Sequence, residues 1–311
     1  MTTTVTATQA VQSVAITGVT GMVGTELSRL LNENGKKVLG ISRQKSPSND
    51  NVIQWSPKEG LADPSQLESV DTIVHLAGEN IAGGRWNAAL KKRLRDSRVE
   101  GTRSLVRSIA AVSNRPSTLI CASAIGYYGD RGSELLSEDA GPGSGFLPDL
   151  CRDWEHEANQ AAELGLRVVN VRIGIVLSPK GGALAKMLLP FKLGLGGDVG
   201  PGDQYWSWIG LHDLTRVIDF CIRNESIHGP VNAVAPSAPT NHEFTKAVGR
   251  VLHRPTILPM PAFAAKLALG EMADALLLAS ARVVPQKLTE AGFQFDHPTL
   301  ESCLEHELQH R

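Results

Sequence analysis

The sequence predicts an α/β fold: a doubly wound parallel sheet with helices on both faces and a small, mainly helical C-terminal lobe on the substrate side. Three observations predict it. The run Val14-Ala15-Ile16-Thr17 passes through Gly18, Gly21 and Gly24 directly into the helical Thr25–Leu31. Four further apolar runs, at Lys37–Ile41, Asp71–Gly78, Ser117–Ser123 and Leu166–Ile173, lie along the chain with helix-length segments intervening. Continuous rather than alternating apolar runs are what strands covered by helices on both faces require. After Ser178 the alternation loosens into glycine-rich loops and helical segments, which predicts the lobe.

The first strand, turn and helix form a phosphate cradle. Such a turn aims unpaired backbone N–H groups and the positive end of a helix dipole at one point beyond the strand. A pyrophosphate suits that point. Gly18 is assigned to the tight turn, Gly21 to close approach of a ligand and Gly24 to packing of the helix on the sheet. Thr17, Met22 and Val23 complete the expected contact set. The second strand ends in Ser42-Arg43, with no acidic residue before it. An acid about 20 residues beyond the glycines reads a ribose 2′-hydroxyl, whereas an arginine there accommodates a 2′-phosphate. The planar guanidinium of Arg43 matches a phosphate with two parallel hydrogen bonds, and Ser42 adds a hydroxyl. The cofactor expected is therefore NADP(H).

Gln44–Ser69 is polar and proline-rich, with a weak strand at Val52–Trp55. The next strand leaves the sheet through Leu76-Ala77-Gly78, whose small residues let backbone pass close to a cofactor ribose. His75, inside the apolar run, reads as a core histidine. A loop, Glu79–Trp86, leads to one long helix from about Asn87 to Val112 with a basic face: Lys91, Lys92, Arg93, Arg95 and Arg98. That face reads either as solvated or as a site for an anionic substrate. Helices are expected at 147–164, 181–192, 212–224, 241–252, 261–269, 271–279 and 299–308, with a short strand at 230–234. Residues 1–12 are expected to be a mobile tail, 13–177 the nucleotide core, and 178–311 the substrate-side region, of which 212–234 return to the core.

Composition narrows the function classes. The 311 residues carry 31 Lys plus Arg against 32 Asp plus Glu with no long single-sign block, so bulk charge points to neither nucleic acid nor a membrane surface. Cys121, Cys151, Cys221 and Cys303 are widely spaced, without Cys-x-x-Cys or a histidine cluster at ligand spacing, so no metal and no disulfide framework is expected. A reducing, cytoplasmic setting fits. Pro261–Ala279 is interrupted by Lys266, Glu271 and Asp274, which argues against a membrane span and for two buried helices. The partner expected is a small-molecule substrate; oligomeric state is left open.

Thr17-Gly18-x-x-Gly21-x-x-Gly24, His75-Leu76-Ala77-Gly78, Arg98-Val99-Glu100-Gly101-Thr102 and Ser123 with Tyr128-Gly129 together resemble the extended short-chain dehydrogenase/reductases of the NAD(P)-dependent epimerase/dehydratase branch, which have a Rossmann core. Gly78-Glu79-Asn80-Ile81, Arg85-Trp86, Ser123–Gly129, Trp154-Glu155 and Trp206–Ile209 look more narrowly like its atypical epimerase-like, SulA-like group. The resemblance implies NADP(H) binding. Two departures stand out. Where the family carries a Tyr-x-x-x-Lys pair, this helix offers Leu147 and Cys151, and the asparagine usual before Val-x-Gly-Thr is Arg98.

An unassisted tyrosine has a pKa of about 10, so Tyr127 or Tyr128 would act as a neutral proton donor rather than a base. Ser123, at a strand end, is expected to orient a substrate oxygen without titrating. Asn80, Arg85, Trp206 and Trp208 are the expected substrate contacts. These residues predict an NADP(H)-dependent oxidoreductase or epimerase-like enzyme, with a cofactor-binding regulator as the rival.

Overall fold

The computed structural model describes residues 11–43 and 51–309. The chain opens with β1 (Ser13–Thr17), α1 (Met22–Glu33), β2 (Lys37–Ser42), β3 (Val52–Ser56), β4 (Gly60–Leu61) and β5 (Thr72–His75). It continues with α2 (Ala88–Arg95), α3 (Gly101–Ala110), β6 (Thr118–Ala124), β7 (Leu135–Leu136), α4 (Phe146–Glu163) and β8 (Arg167–Ile173). Next come β9 (Ile175–Leu177), α5 (Gly182–Lys192), β10 (Trp208–Gly210), α6 (Leu211–Arg223) and β11 (Gly229–Ala233). The last elements are α7 (Asn241–Leu252), α8 (Ala262–Leu269), α9 (Glu271–Ala273), β12 (Arg282–Val283), α10 (Gln286–Glu290) and α11 (Leu300–Gln309).

The central sheet has eight strands in the order β11-β8-β6-β5-β1-β2-β3-β4. All its pairs are parallel except β3 with β4. The chain builds outward from β1 through β2 and β3, then returns to β5 on the other side of β1. This reversal opens a crevice at the carboxyl ends of β1 and β5, where open α/β sheets bind ligands. Successive residues of β1 face opposite layers. Ala15 packs with Ile73, Leu119, Leu105 and Ala158 under α3 and α4, while Val14 and Ile16 pack with Val74, Ile120, Leu27 and Leu214 under α1 and α6. Each fully buried leucine stabilises the fold by about 1.5–3 kcal/mol, so both helical layers are strongly held.

The structure corrects two sequence expectations, the unbroken helix over 87–112 and the buried helix at 261–269, and adds strands to the reading. The helix expected over 87–112 is broken by a π-helical turn, Asp96–Glu100, which separates α2 from α3. Short strands β9 and β10 pair in parallel, and β7 pairs with β12, additions that brief apolar stretches do not announce. Residues 261–269 are not a buried helix: in α8 only Ala265 is buried, and Phe263 and Leu267, one turn apart, both face outward. Of the expected tail, residues 1–10 lie outside the described residues, but the backbone amides of Gln12 and Ser13 both donate to Asp71 Oδ2 at 2.8 Å. The lobe closes around Leu177, Leu184, Trp208, Phe244, Val248 and Leu304. Among the described residues no helix is long and apolar enough to cross a membrane, and all four cysteines are buried free thiols.

Candidate nucleotide and substrate site

The crevice begins at Thr17. Its Oγ1 accepts the amides of Leu76 (3.0 Å) and Ala77 (3.1 Å) and meets His75 Nδ1 at 2.7 Å, tying the exits of β1 and β5 together. His75 is fully buried between Thr17 and Thr102, and burial pushes its pKa down to about 4, so it is a neutral core residue. Gly18 has φ +69°, and a Cβ there would stand 3.1 Å from Ala77 N and Leu76 C. Gly24 is tighter still: its Cβ would lie 2.3 Å from Gly18 O. Gly24 therefore packs α1 onto the loop itself rather than onto the sheet. Gly21 is exposed and caps α1 without any side-chain bond, so the first-turn amides of Met22, Val23 and Gly24 have no intrahelical acceptor and no side-chain cap from Gly21. Ser42 ends β2 beside β1, and Arg43 follows it, exposed; residues 44–50 lie outside the described residues.

The opposite wall of the crevice is formed by β6, the turn Ile125–Tyr127 and α4. Ser123 is 3 % exposed and donates to Glu155 Oε1 at 2.6 Å. Glu155 in turn holds Arg172 in a two-pronged pair, Nε–Oε1 and Nη2–Oε2 both 2.9 Å. Arg172 also donates to the Tyr128 hydroxyl at 2.9 Å and lies over the Tyr127 ring, Cζ 3.5 Å from its centroid. Burial opposes the Arg172 charge, but Glu155 outweighs it and holds the guanidinium pKa above its ordinary value. Tyr128 is fully buried, its hydroxyl donating to Asn232 Oδ1 at 2.7 Å, and burial raises its pKa despite Arg172.

This network revises the expected roles. The Tyr128 hydroxyl is engaged by Asn232, Ser137 O and Arg172, and the Ser123 proton is committed to Glu155. Of the three, Tyr127 alone is partly exposed with no hydrogen bond to its hydroxyl among the described residues. Sequence reasoning used Glu155 only as a landmark and missed Arg172 and Asn232. The signal available was a polar pair, Asn170 and Arg172, spaced for one face of an otherwise apolar strand.

Of the expected substrate contacts, Arg85 packs against Gly270, and Asn80 accepts the Ala82 amide at 3.0 Å within its own exposed loop. Trp206 and Trp208 are 4 % and 0 % exposed and pack in the lobe core with Phe244, so they present no surface to a substrate. Arg98 lies in the π turn, its guanidinium against Gly78 and 5.1 Å from the Trp154 ring centroid. Leu147 and Cys151 of α4 pack at Gly126. Burial pushes the Cys151 thiol up to about 12, so no thiolate forms there at neutral pH. A histidine–carboxylate group invisible in sequence spacing does form away from the crevice: His212, Asp213 and Asp296 bring ligand atoms within 4.8 Å of one another. Arg216 already lies between the two carboxylates, 3.0 and 3.2 Å from them, and fills the place a metal cation would take.

A doubly wound sheet with a glycine cradle at its switch point defines a dinucleotide-binding protein. The chain belongs to the NAD dependent epimerase/dehydratase family, whose pattern it matches over residues 14–233. Residues 260–307 match a domain of unknown function (DUF1731). An epimerase family protein of Mycobacterium tuberculosis, MT2273, is 44 % identical over 283 residues, covering 91 % of this chain and 93 % of that protein. The crystal structure of human epimerase family protein SDR39U1 (isoform 2) with NADPH superposes with a TM-score of 0.87 at 34 % identity, over 96 % of this chain and 100 % of that one. A nucleoside-diphosphate sugar epimerase from Corynebacterium glutamicum gives 0.80 at 34 % identity, over 96 % of this chain and 58 % of that one.

Proposed function

We propose that the chain binds NADPH across the carboxyl ends of β1 and β5 and uses it as an oxidoreductase or epimerase-like enzyme on a small molecule. The observation that carries this reading is the space at Gly24: a loop that tolerates no Cβ there, backed by an uncapped helix start, leaves the α1 amides as a bare anion cradle. The NADPH-bound human relative supports the choice of cofactor. Gly18 to Gly24 hold the pyrophosphate, Ser42 and Arg43 the 2′-phosphate, and Leu76, Ala77 and Gly78 line the ribose path. When bound, the cofactor supplies hydride chemistry. The protein supplies position, with Tyr127 as proton donor and Ser123, through Glu155, as a positioning group. Titration of the purified protein with NADPH and NADH tests the reading: NADPH should saturate the protein, and R43E should weaken NADPH about ten- to a hundredfold while leaving NADH unchanged.

A second reading, an NADPH-binding regulator without turnover, is favoured by one observation: Ser123 is occupied by Glu155, and Leu147 and Cys151 stand where the family's acid–base pair would be. Stereospecifically deuterated NADPH incubated with a carbonyl library separates the two. Transfer of label to any product selects the enzyme; retention of label with tight NADPH binding selects the regulator.

A further inference from the structure

The five basic residues between Lys91 and Arg98 separate into two kinds. Lys91 pairs with Glu271, Lys92 with Asp96 and Arg95 with Asp153, each at 2.5 Å, and Arg93 reaches Glu79 at 3.8 Å. All four contacts are surface ion pairs. Arg98 is partly buried and, among the described residues, has no carboxylate within 4.0 Å. Its one hydrogen bond among the described residues runs from Nη1 to Leu94 O at 3.3 Å, so among those residues the Nε–Nη2 edge of the guanidinium has no acceptor. The neighbouring positions show that carboxylates are plentiful around this helix, yet the partly buried Arg98 is the cation without such a partner among the described residues.

The location of that edge matters. A Cβ at Gly78 would stand 3.2 Å from Arg98 Cζ, and Gly78 is exposed, directly after the Leu76 and Ala77 amides that Thr17 binds. On its other side Arg98 rests on Trp154 of α4, the helix whose Leu147 and Cys151 pack at Gly126 on the β6 exit. The guanidinium thus sits between the cradle and the opposite wall of the crevice, where the reacting part of a small molecule would lie. The π turn Asp96–Glu100 puts it there, and such turns occur often at functional sites. Burial lowers the Arg98 pKa, with Cys151 and Glu79 opposing, yet arginine remains charged under all ordinary conditions.

We propose that Arg98 is the oxyanion-recognition residue of this crevice, holding a carboxylate or phosphate carried by the substrate on its Nε–Nη2 edge. A guanidinium edge matches either group with two parallel N–H bonds, and stacking on Trp154 fixes its plane. The substrate class is accordingly a small molecule bearing an oxyanion next to the carbon that reacts. This inference rests on the cofactor reading above, and its test separates the two.

The test is calorimetric titration of the full-length protein with oxamate and with inorganic phosphate, with and without NADPH, using oxamide as the neutral control. Wild type should bind at least one of the two anions saturably and oxamide not at all. R98Q should weaken that anion by at least about tenfold, with R98K intermediate, while both variants keep NADPH affinity within about threefold of wild type. Retained NADPH binding and an unchanged melting temperature show that the variants are folded; R98K carries the test where R98Q is not. Equal anion affinity in wild type and variant, no saturable binding of either anion, or a tenfold loss of NADPH affinity in R98K overturns the proposal. The last outcome would assign Arg98 to a cofactor phosphate. Failure of NADPH to bind wild type would overturn the cofactor reading alone, since anion binding is measured without it as well.

Discussion

The two walls of the crevice are built on opposite principles. The β1–β5 wall is backbone: Gly18, Gly21 and Gly24 remove side chains so that amide groups reach a ligand, and its tolerances are steric. The β6–β8 wall is side chain: Ser123, Glu155, Arg172, Tyr128 and Asn232 satisfy one another in a buried chain of hydrogen bonds. A backbone wall accepts what a dinucleotide always offers, whereas a closed side-chain wall offers little to a substrate directly. The difference teaches where chemistry specific to this chain must come from. We assign it to the groups outside that closed chain: Arg98, between the walls, and Tyr127, at the edge of the β6 wall.

Breaking the side-chain wall should cost the most stability. Arg172→Ala leaves the buried Glu155 carboxylate without its cationic partner and with only Ser123 as a hydrogen-bond donor, a loss of about 3–5 kcal/mol that denaturant unfolding will read. Breaking the backbone wall should instead act on binding. Gly24→Val drives a side chain into Gly18 O, and NADPH affinity should fall by more than about a hundredfold, alongside a stability loss of about 1–3 kcal/mol.

His75 gives the backbone wall a pH signature. Its folded pKa, about 4, lies below the ordinary 6.5, so the unfolded chain binds the extra proton between those values. The contribution is full above pH 6.5, and falls as pH drops toward 4, by about 3 kcal/mol in total. His75→Gln should flatten the stability profile in that window relative to wild type. A profile of H75Q parallel to wild type would show that His75 is not held neutral. The smallest structural effect should come from Tyr127→Phe, which removes a hydroxyl without a hydrogen bond among the described residues: melting should change little, and any turnover found should drop about 10²-fold or more.

The legibility of the two walls in the sequence differs for the same physical reason. Glycines at 18, 21 and 24, and the strand exit Leu76-Ala77-Gly78, are local signals, because a turn and a helix start are set by a few consecutive residues. The parallel sheet was equally readable from continuous apolar runs. Arg172 and Glu155 meet across 17 positions and Tyr128 and Asn232 across 104, distances over which periodicity carries no pairing information. Trp206 and Trp208 illustrate the opposite error: an aromatic cluster signals burial as readily as a pocket, and here the lobe core claims both. The π turn at Asp96–Glu100 was hidden because the basic face continues through it without an interruption in pattern.

The most direct measurement of the central claim is NADPH binding by wild type and Gly24→Val, with unfolding of both proteins followed in parallel. A bare backbone cradle predicts saturable, NADPH-selective binding by wild type and its loss in a variant that still folds. Undiminished NADPH affinity in folded Gly24→Val, or no saturable binding by wild type, would contradict it.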